Sequence, residues 1–478
     1  MTELAFADLQ TLAGALHRGE LSPVELTQYY LQRIDRLNGL YNAYLHVDPE
    51  RAMAAARAAE LALAAGDNLG PLHGIPIALK DLIDVAGMPT TGGSIIYRDI
   101  PDRDSTVTRR LRQAGAIVLG KVNQVELAFG AVGSNSHYGT PWNPWDAVTH
   151  RAPGGSSSGS AVSVAADLAP AAIGTDTGGS VRIPSALCGL VGLKPTFGRV
   201  SKAGLMPLDS ELDSAGPLAR TVADAGVLYQ AIVGPDAEDP STHTQPLHDA
   251  LASMYDDVAG MRLRIPREYF WEDVDPEIEA AVRASVQTFA DLGVDVDEIA
   301  IDELDDVTEV RARGRLVAVE AYLNFGNEIE ADPSALDPVV LSRIMDGEAM
   351  QAFEYLSIKR NNERLRERFA ASTRHVDALL APTVPLVAPA VDDVDDHERY
   401  AHTNLLLLRN TAVVNLLGLC ALSLPCGFTR NGLPIGLQLI GPAFGERKIL
   451  RLGQAYEQAT QWHRHHPDLE ALEDDSVG

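Results

Sequence analysis

Two clusters of glycine and hydroxyl side chains could set up a serine for chemistry: PGGSSSGS, from Pro153 to Ser160, and GTDTGGS, from Gly174 to Ser180. A serine hydroxyl is a weak nucleophile that reacts when a neighbouring base takes its proton. Successive glycines let backbone N–H groups converge on one point, and each such donor is worth about 3–4 kcal/mol where its removal has been measured in comparable sites. Thr177, Gly178, Gly179 and Ser180 could supply an oxyanion hole of this kind. No histidine is evident in either cluster, so the base would be a carboxylate or a neutral lysine, and Lys80 at the end of GIPIALK is the candidate. Such a lysine is either a charge at a strand end or a buried group whose proton affinity is lowered by desolvation.

Other chemistries fit these residues less well. An isolated Gly-Ser cluster is usually a flexible linker, but both clusters here lie between strongly apolar segments, where a linker would expose core. A phosphate-binding loop requires a lysine after its last glycine, and none follows Gly159. GSSSG, from Gly155 to Gly159, formally matches a nucleophile elbow centred on Ser157, yet that motif must follow a strand and DAVTHRAP does not supply one. In HERYAH the histidines His397 and His402 have the wrong spacing for a zinc-binding helix, and HRHH near the C-terminus reads as a solvated tail. No metal or cofactor is expected.

The elements that must carry these clusters are legible in part. Ser22, Pro23 and Glu25 form a capping box with proline at the first helical position, opening a helix whose Val24, Leu31, Ile34 and Leu37 make an apolar face. An alanine-rich helix follows from Arg51 to Ala65, then a strand ending near Lys80, then a helix–Gly115–strand unit and another helix before a loop from Gly133 to Gly155. A small-residue helix from Ser157 to Leu168 and the strand AAIGT would deliver both clusters to one edge of a sheet. A linker spans Pro235 to Pro246, a strand–helix segment runs from Met261 to Val296, and residues 302–374 look mainly helical. DALLAPT, ALSLPCGF and PIGLQLIGP return as strands, and ERKILRLGQAYEQAT closes as a helix. The alternation predicts an α/β fold.

Composition narrows the partners. With 46% hydrophobic and 22% charged residues the chain should bury a large core, and 478 residues by themselves suggest two or three domains. A formal charge of −27 repels phosphate backbones and anionic lipid, so neither nucleic acid nor a membrane surface is an expected partner. The apolar run NLLLLRNTAVVNLLGLCALSLPCGF is broken by Asn404, Arg409, Asn410 and Asn415, which argues against a membrane span. MTELAFADLQ has acids where a secretory signal would be basic, and Cys188, Cys420 and Cys426 read as reduced, apolar residues, so the expected location is the cytoplasm.

The stretch GGSSSGSAVSVAADLAPAAIGTDTGGSVRIPSALCGLVGLKPTFGRVS resembles the signature region of the amidase signature family, and GIPIALKD resembles its upstream lysine motif. DALLAPTVP and GLPIGLQLIG are similar to later segments of that family, so the likeness spans nearly the whole chain. The resemblance implies one domain over residues 1–478, with a central twisted mixed sheet covered by helices on both faces, N-terminal helices over about 1–65 and a helical insertion over about 302–374. It implies a catalytic triad in which Ser180 is the nucleophile, Ser156, preceded by a cis peptide, relays the proton, and Lys80 is the base. Thr175, Asp176 and Arg182 would support the loop, and Ala128, Phe129 and Gly130 would face substrate. Ser158 stands where many members have a second glycine, which leaves the triad intact.

The activity so implied is hydrolysis of the C–N bond of a small carboxylic amide, anilide or carbamate through an acyl-enzyme, and a homodimer is compatible with it. The alternative is the glutaminase subunit of a tRNA-dependent amidotransferase, from whose Met-Gly-Ser-Ser-Thr-Glu-Asn run AFGAVGSNSHYGTPWNPWD departs. The helices of residues 302–374 and the loop VDDVDDHERYAHTN are the expected pocket walls, with Tyr322, Phe325, Phe353 and Tyr355 as candidates to line an apolar site.

Overall fold

A computed structural model describes residues 4–243, 249–307 and 316–469. Its strands are β1 (Tyr44–Val47), β2 (Pro76–Lys80), β3 (Ile117–Val122), β4 (Ala171–Asp176), β5 (Val191–Lys194), β6 (Ser214–Ala219), β7 (Arg262–Pro266), β8 (Asp295–Ile299), β9 (Ala378–Pro382), β10 (Cys420–Phe428) and β11 (Pro434–Gly441). They form one sheet in the order β1-β3-β2-β4-β6-β5-β10-β11-β9-β7-β8. Parallel pairing of β2 with β3 and β4, and of β7 with β8 and β9, is combined with antiparallel pairing elsewhere, so the sheet is mixed. Helices pack on both sides, so central strands such as AAIGTD are buried at every position and read as small-residue or apolar runs without alternation. The edge strand β8, DVDEI, keeps three acids and is largely exposed, which discourages pairing with another chain.

Helix Pro23–Tyr41 starts where its capping box predicts, with Ser22 Oγ accepting from Glu25 N and Glu25 returning the bond. Its buried stripe is Leu26, Tyr30, Ile34, Leu37 and Tyr41, while Val24 and Leu31 turn toward Ala52 and Ala56 of helix Pro49–Ala64. The residues after β3 form a single 3-10 turn, Glu126–Ala128, in place of the predicted helix. The predicted loop over VDDVDDHERYAHTN instead holds a 3-10 turn and the first turns of helix His397–Leu416, capped by Asp396, which accepts from Arg399 N. The C-terminal histidines are not a free tail: the His466 ring stacks on Phe6 with centroids 4.2 Å apart. Within residues 302–374, helices Leu316–Ala331, Pro338–Glu348 and Ala352–Ser372 are present. Part of the predicted linker, residues 244–248, lies outside the described residues. Among the described residues no helix is long and apolar enough to cross a membrane.

Candidate active site

Parallel pairing of β2 and β4, with Ala78 opposite Ala172 and Leu79 opposite Ile173, brings the ends of both strands to one edge of the sheet. Lys80 ends β2, and Thr175 and Asp176 end β4, so the lysine and the GTDTGGS loop meet there. Helix Ser158–Ala165 packs against β4 and starts at the same edge, which carries the first cluster to the second. The loops are stitched directly, Ser157 N donating to Ser180 O at 3.2 Å.

Lys80 is fully buried. Its Nζ lies 2.7 Å from Ser156 Oγ and 2.9 Å from Thr175 Oγ1, and the Gly155–Ser156 peptide is cis. Burial lowers the lysine's pKa to about 7, against the opposing pull of the Asp213 and Asp176 charges. A substantial fraction of Lys80 is therefore neutral near neutral pH and able to accept a proton from the hydroxyl it touches. Ser157, the alternative serine, is committed to structure: its Oγ donates to Thr175 O at 3.2 Å, and a Cβ on Gly174 would come within 2.5 Å of Ser157 Oγ.

Asp176 and Arg182 hold the GTDTGGS loop from beneath. The two are fully buried with Arg182 Nη2 2.9 Å from Asp176 Oδ1, and Arg182 also donates to Gln438 and Asn415 at 2.6 Å each. Burial alone would raise the Asp176 carboxyl, but the charge and hydrogen bonds of Arg182 outweigh it and hold the carboxyl at about 2. The carboxylate in turn accepts the N–H groups of Gly179 at 2.8 Å and Val181 at 3.2 Å. Gly179 therefore differs from the expectation of four converging amides, because its N–H is turned to its own loop's aspartate. At φ +137° it has a backbone that favours glycine, and a Cβ there would lie 2.2 Å from Thr411 Oγ1.

Ser180, Thr177 and Gly178 open onto a cavity of about 640 Å³ that Ala128, Phe129 and Gly130 also line. Arg343 sits over the Phe129 ring at 4.3 Å and donates to Phe129 O. Leu208, Leu212, Tyr269, Leu316, Leu405 and Leu408 are among the residues of its apolar wall. The four aromatic candidates do not line it: Phe325 is in the core, Phe353 is exposed on the surface, and the hydroxyls of Tyr322 and Tyr355 bond Glu330 and Glu320. Helical period set their direction, and it turned them away from the cavity.

Sequence reasoning missed the residues that reach the site from helix His397–Leu416. Asn404 accepts from Ala131 N at 2.8 Å, and Asn415 donates to Asp176. The signal was present, since buried asparagines interrupting a strongly apolar run must find partners.

The family model described as Amidase matches residues 25–450. The chain belongs to the amidase signature family. Among its amidase-family relatives, it is 40% identical over 493 residues to the A-type subunit of the glutamyl-tRNA(Gln) amidotransferase of Chloroflexus aggregans, covering 98% of this chain and 99% of that one. It is also 40% identical over 461 residues to 2-amino-5-chloromuconic acid deaminase of Comamonas testosteroni, covering 95% and 96% respectively. The solved structure of native peptide amidase from Stenotrophomonas maltophilia superposes with a TM-score of 0.83 at 30% identity, covering 97% of this chain and 99% of that one. Amidase-family membership thus includes both amidases and components of amidotransferases.

Proposed function

We propose that this chain is an amidohydrolase that cleaves the C–N bond of a small carboxylic amide, anilide or carbamate through an acyl-enzyme on Ser180. The observation that carries the reading is the 2.7 Å contact between a buried, readily deprotonated Lys80 and Ser156, on a loop bonded to that of Ser180. Neutral Lys80 takes a proton through Ser156 from Ser180, whose Oγ attacks the carbonyl carbon. The amides of Thr177, Gly178 and Ser180 receive the developing oxyanion. The proton then returns to the leaving nitrogen, and water repeats the sequence to release the acid.

The wall beside the nucleophile loop supports an apolar acyl or leaving group: a Cβ on Gly178 would lie 3.3 Å from Leu408 Cδ2 and 3.7 Å from Ala412 Cβ. The second reading, a glutaminase subunit of a tRNA-dependent amidotransferase, is favoured by the likeness to the Chloroflexus glutamyl-tRNA(Gln) amidotransferase protein over 98% of the chain. Glutamine would have to seat an ammonium and a carboxylate, and Arg343, Asp346, Glu272 and Asp273 are the charged groups of the lining besides Arg409.

Product release by the purified chain across primary amides, anilides, carbamate esters and glutamine separates the two, with Ser180→Ala as control. Turnover of a non-glutamine substrate that Ser180→Ala abolishes is the expected result. Release of ammonia from glutamine only, or only after a partner is added, transfers the assignment to the amidotransferase. Activity surviving in Ser180→Ala removes Ser180 as nucleophile.

A further inference from the structure

One buried carboxylate beside the nucleophile loop takes no part in the steps above. Strand β6 begins at Ser214, which pairs with Asp176 of β4, so the preceding residue, Asp213, lies across from Thr177. Asp213 Oδ1 accepts the Thr177 hydroxyl at 2.5 Å, and its Oδ2 accepts the N–H groups of Leu208 at 2.8 Å and Asp209 at 3.0 Å. One side chain therefore joins a residue of the nucleophile loop to the turn whose Leu208 and Leu212 line the cavity.

Its charge is placed differently from that of its neighbours. Asp176 is compensated by Arg182 in direct contact, and Asp81, next to Lys80, accepts from Thr91 and Gly93 and lies 3.8 Å from Lys121. Among the described residues no cation forms an ion pair with Asp213. Lys202, whose charge it also feels, reaches Asp239 at 3.5 Å. Lys80 itself has Ser156 and Thr175 as its hydrogen-bond partners, and feels the charges of Asp213 and Asp176. Asp209, beside Asp213 on the same turn, is a second buried carboxyl, pushed up to about 7 by burial and by the Asp213 charge.

We propose that Asp213 is a positioning residue for the reaction: by accepting the Thr177 hydroxyl and the N–H groups of Leu208 and Asp209, it fixes Thr177 so that the loop amide faces the oxyanion. This rests on the assignment of Lys80 as base and Ser180 as nucleophile. Asp213→Asn keeps the shape of the side chain but offers one acceptor oxygen where the carboxylate offers two. Removing the Thr177 hydroxyl breaks the same link from the other side.

Phosphonylation of the intact chain by an alkyl fluorophosphonate, followed by intact-mass spectrometry, reads the effect without a known substrate. In that step a bond forms between Ser180 Oγ and phosphorus, the P–F bond breaks, fluoride leaves, and the serine proton passes through Ser156 to Lys80. In Asp213→Asn the labelling rate is expected to fall about tenfold or more. Thr177→Val is expected to slow labelling to the same extent, and Thr177→Ser, which keeps the hydroxyl, to label within about twofold of wild type. An Asp213→Asn rate within about twofold of wild type overturns the proposal, and if that variant does not fold, a Thr177→Val rate within about twofold of wild type, or a Thr177→Ser rate as slow as that of Thr177→Val, overturns it instead. Lys80→Met labelled at the wild-type rate, or label absent from Ser180, would show instead that the underlying assignment of base and nucleophile is the part at fault.

Discussion

Replacing Lys80 with methionine should make the protein more stable and nearly inactive. Methionine fills similar space without a charge, whereas burial lowers the Lys80 pKa from an ordinary 10.5 to about 7. Each tenfold in proton affinity corresponds to about 1.4 kcal/mol, so the folded protein disfavours a charged Lys80 by about 5 kcal/mol. The sign follows from linkage: a base whose folded pKa is depressed binds its proton more tightly when unfolded, so its penalty is full below about pH 7 and fades as pH rises toward 10.5. That penalty is about 5 kcal/mol at pH 6 and about 2 kcal/mol at pH 9. Losing the hydrogen bonds to Ser156 and Thr175 offsets about 1 kcal/mol each. The variant should therefore gain about 3 kcal/mol at pH 6 and almost nothing at pH 9, while catalysis falls about 10²–10⁴-fold at both. Urea denaturation of both proteins at the two pH values measures the first effect, and fluorophosphonate labelling the second. A stability difference that is the same at pH 6 and pH 9 would refute the reasoning, since only the proton on Lys80 makes it vary.

The pair beneath the loop predicts the opposite sensitivity. Asp176→Asn leaves Arg182 buried without its counter-charge and should cost about 3–5 kcal/mol near neutral pH, measured by the same denaturation. In the wild type, the carboxyl held at about 2 against an ordinary 3.8 contributes about 2 kcal/mol of stability, present above pH 4 and lost as pH falls toward 2. The acid limb of the stability curve should be shallower in the variant. Gly179→Ala places a Cβ 2.2 Å from Thr411 Oγ1 at φ +137°, so the loop must shift. Labelling of Ser180 should drop at least about 100-fold, the scale of one lost oxyanion donor, while circular dichroism stays native. Wild-type labelling in Gly179→Ala would show that the loop tolerates displacement.

The parts of this molecule set by short-range chemistry were legible in the residues. A capping box fixed the start of helix Pro23–Tyr41, small-residue runs marked β4 and its neighbours, and two glycine-serine clusters with Lys80 marked the candidate site, because caps, turns and strand ends depend on a few adjacent residues. The tertiary structure decided what those residues face. In the sequence Gly179 is one of four equivalent amide donors, and in the fold Asp176 accepts its N–H. The expected aromatic wall gave way to Leu208, Leu212, Leu316 and Leu408, drawn from three distant segments that meet only when the sheet and helices close. Nothing local distinguishes Lys80 from any lysine at the end of a strand. Its proton affinity is set by complete burial and by Asp213, 133 positions away in number along the chain, and desolvation is a property of everything packed around a group, not of the residues beside it in sequence.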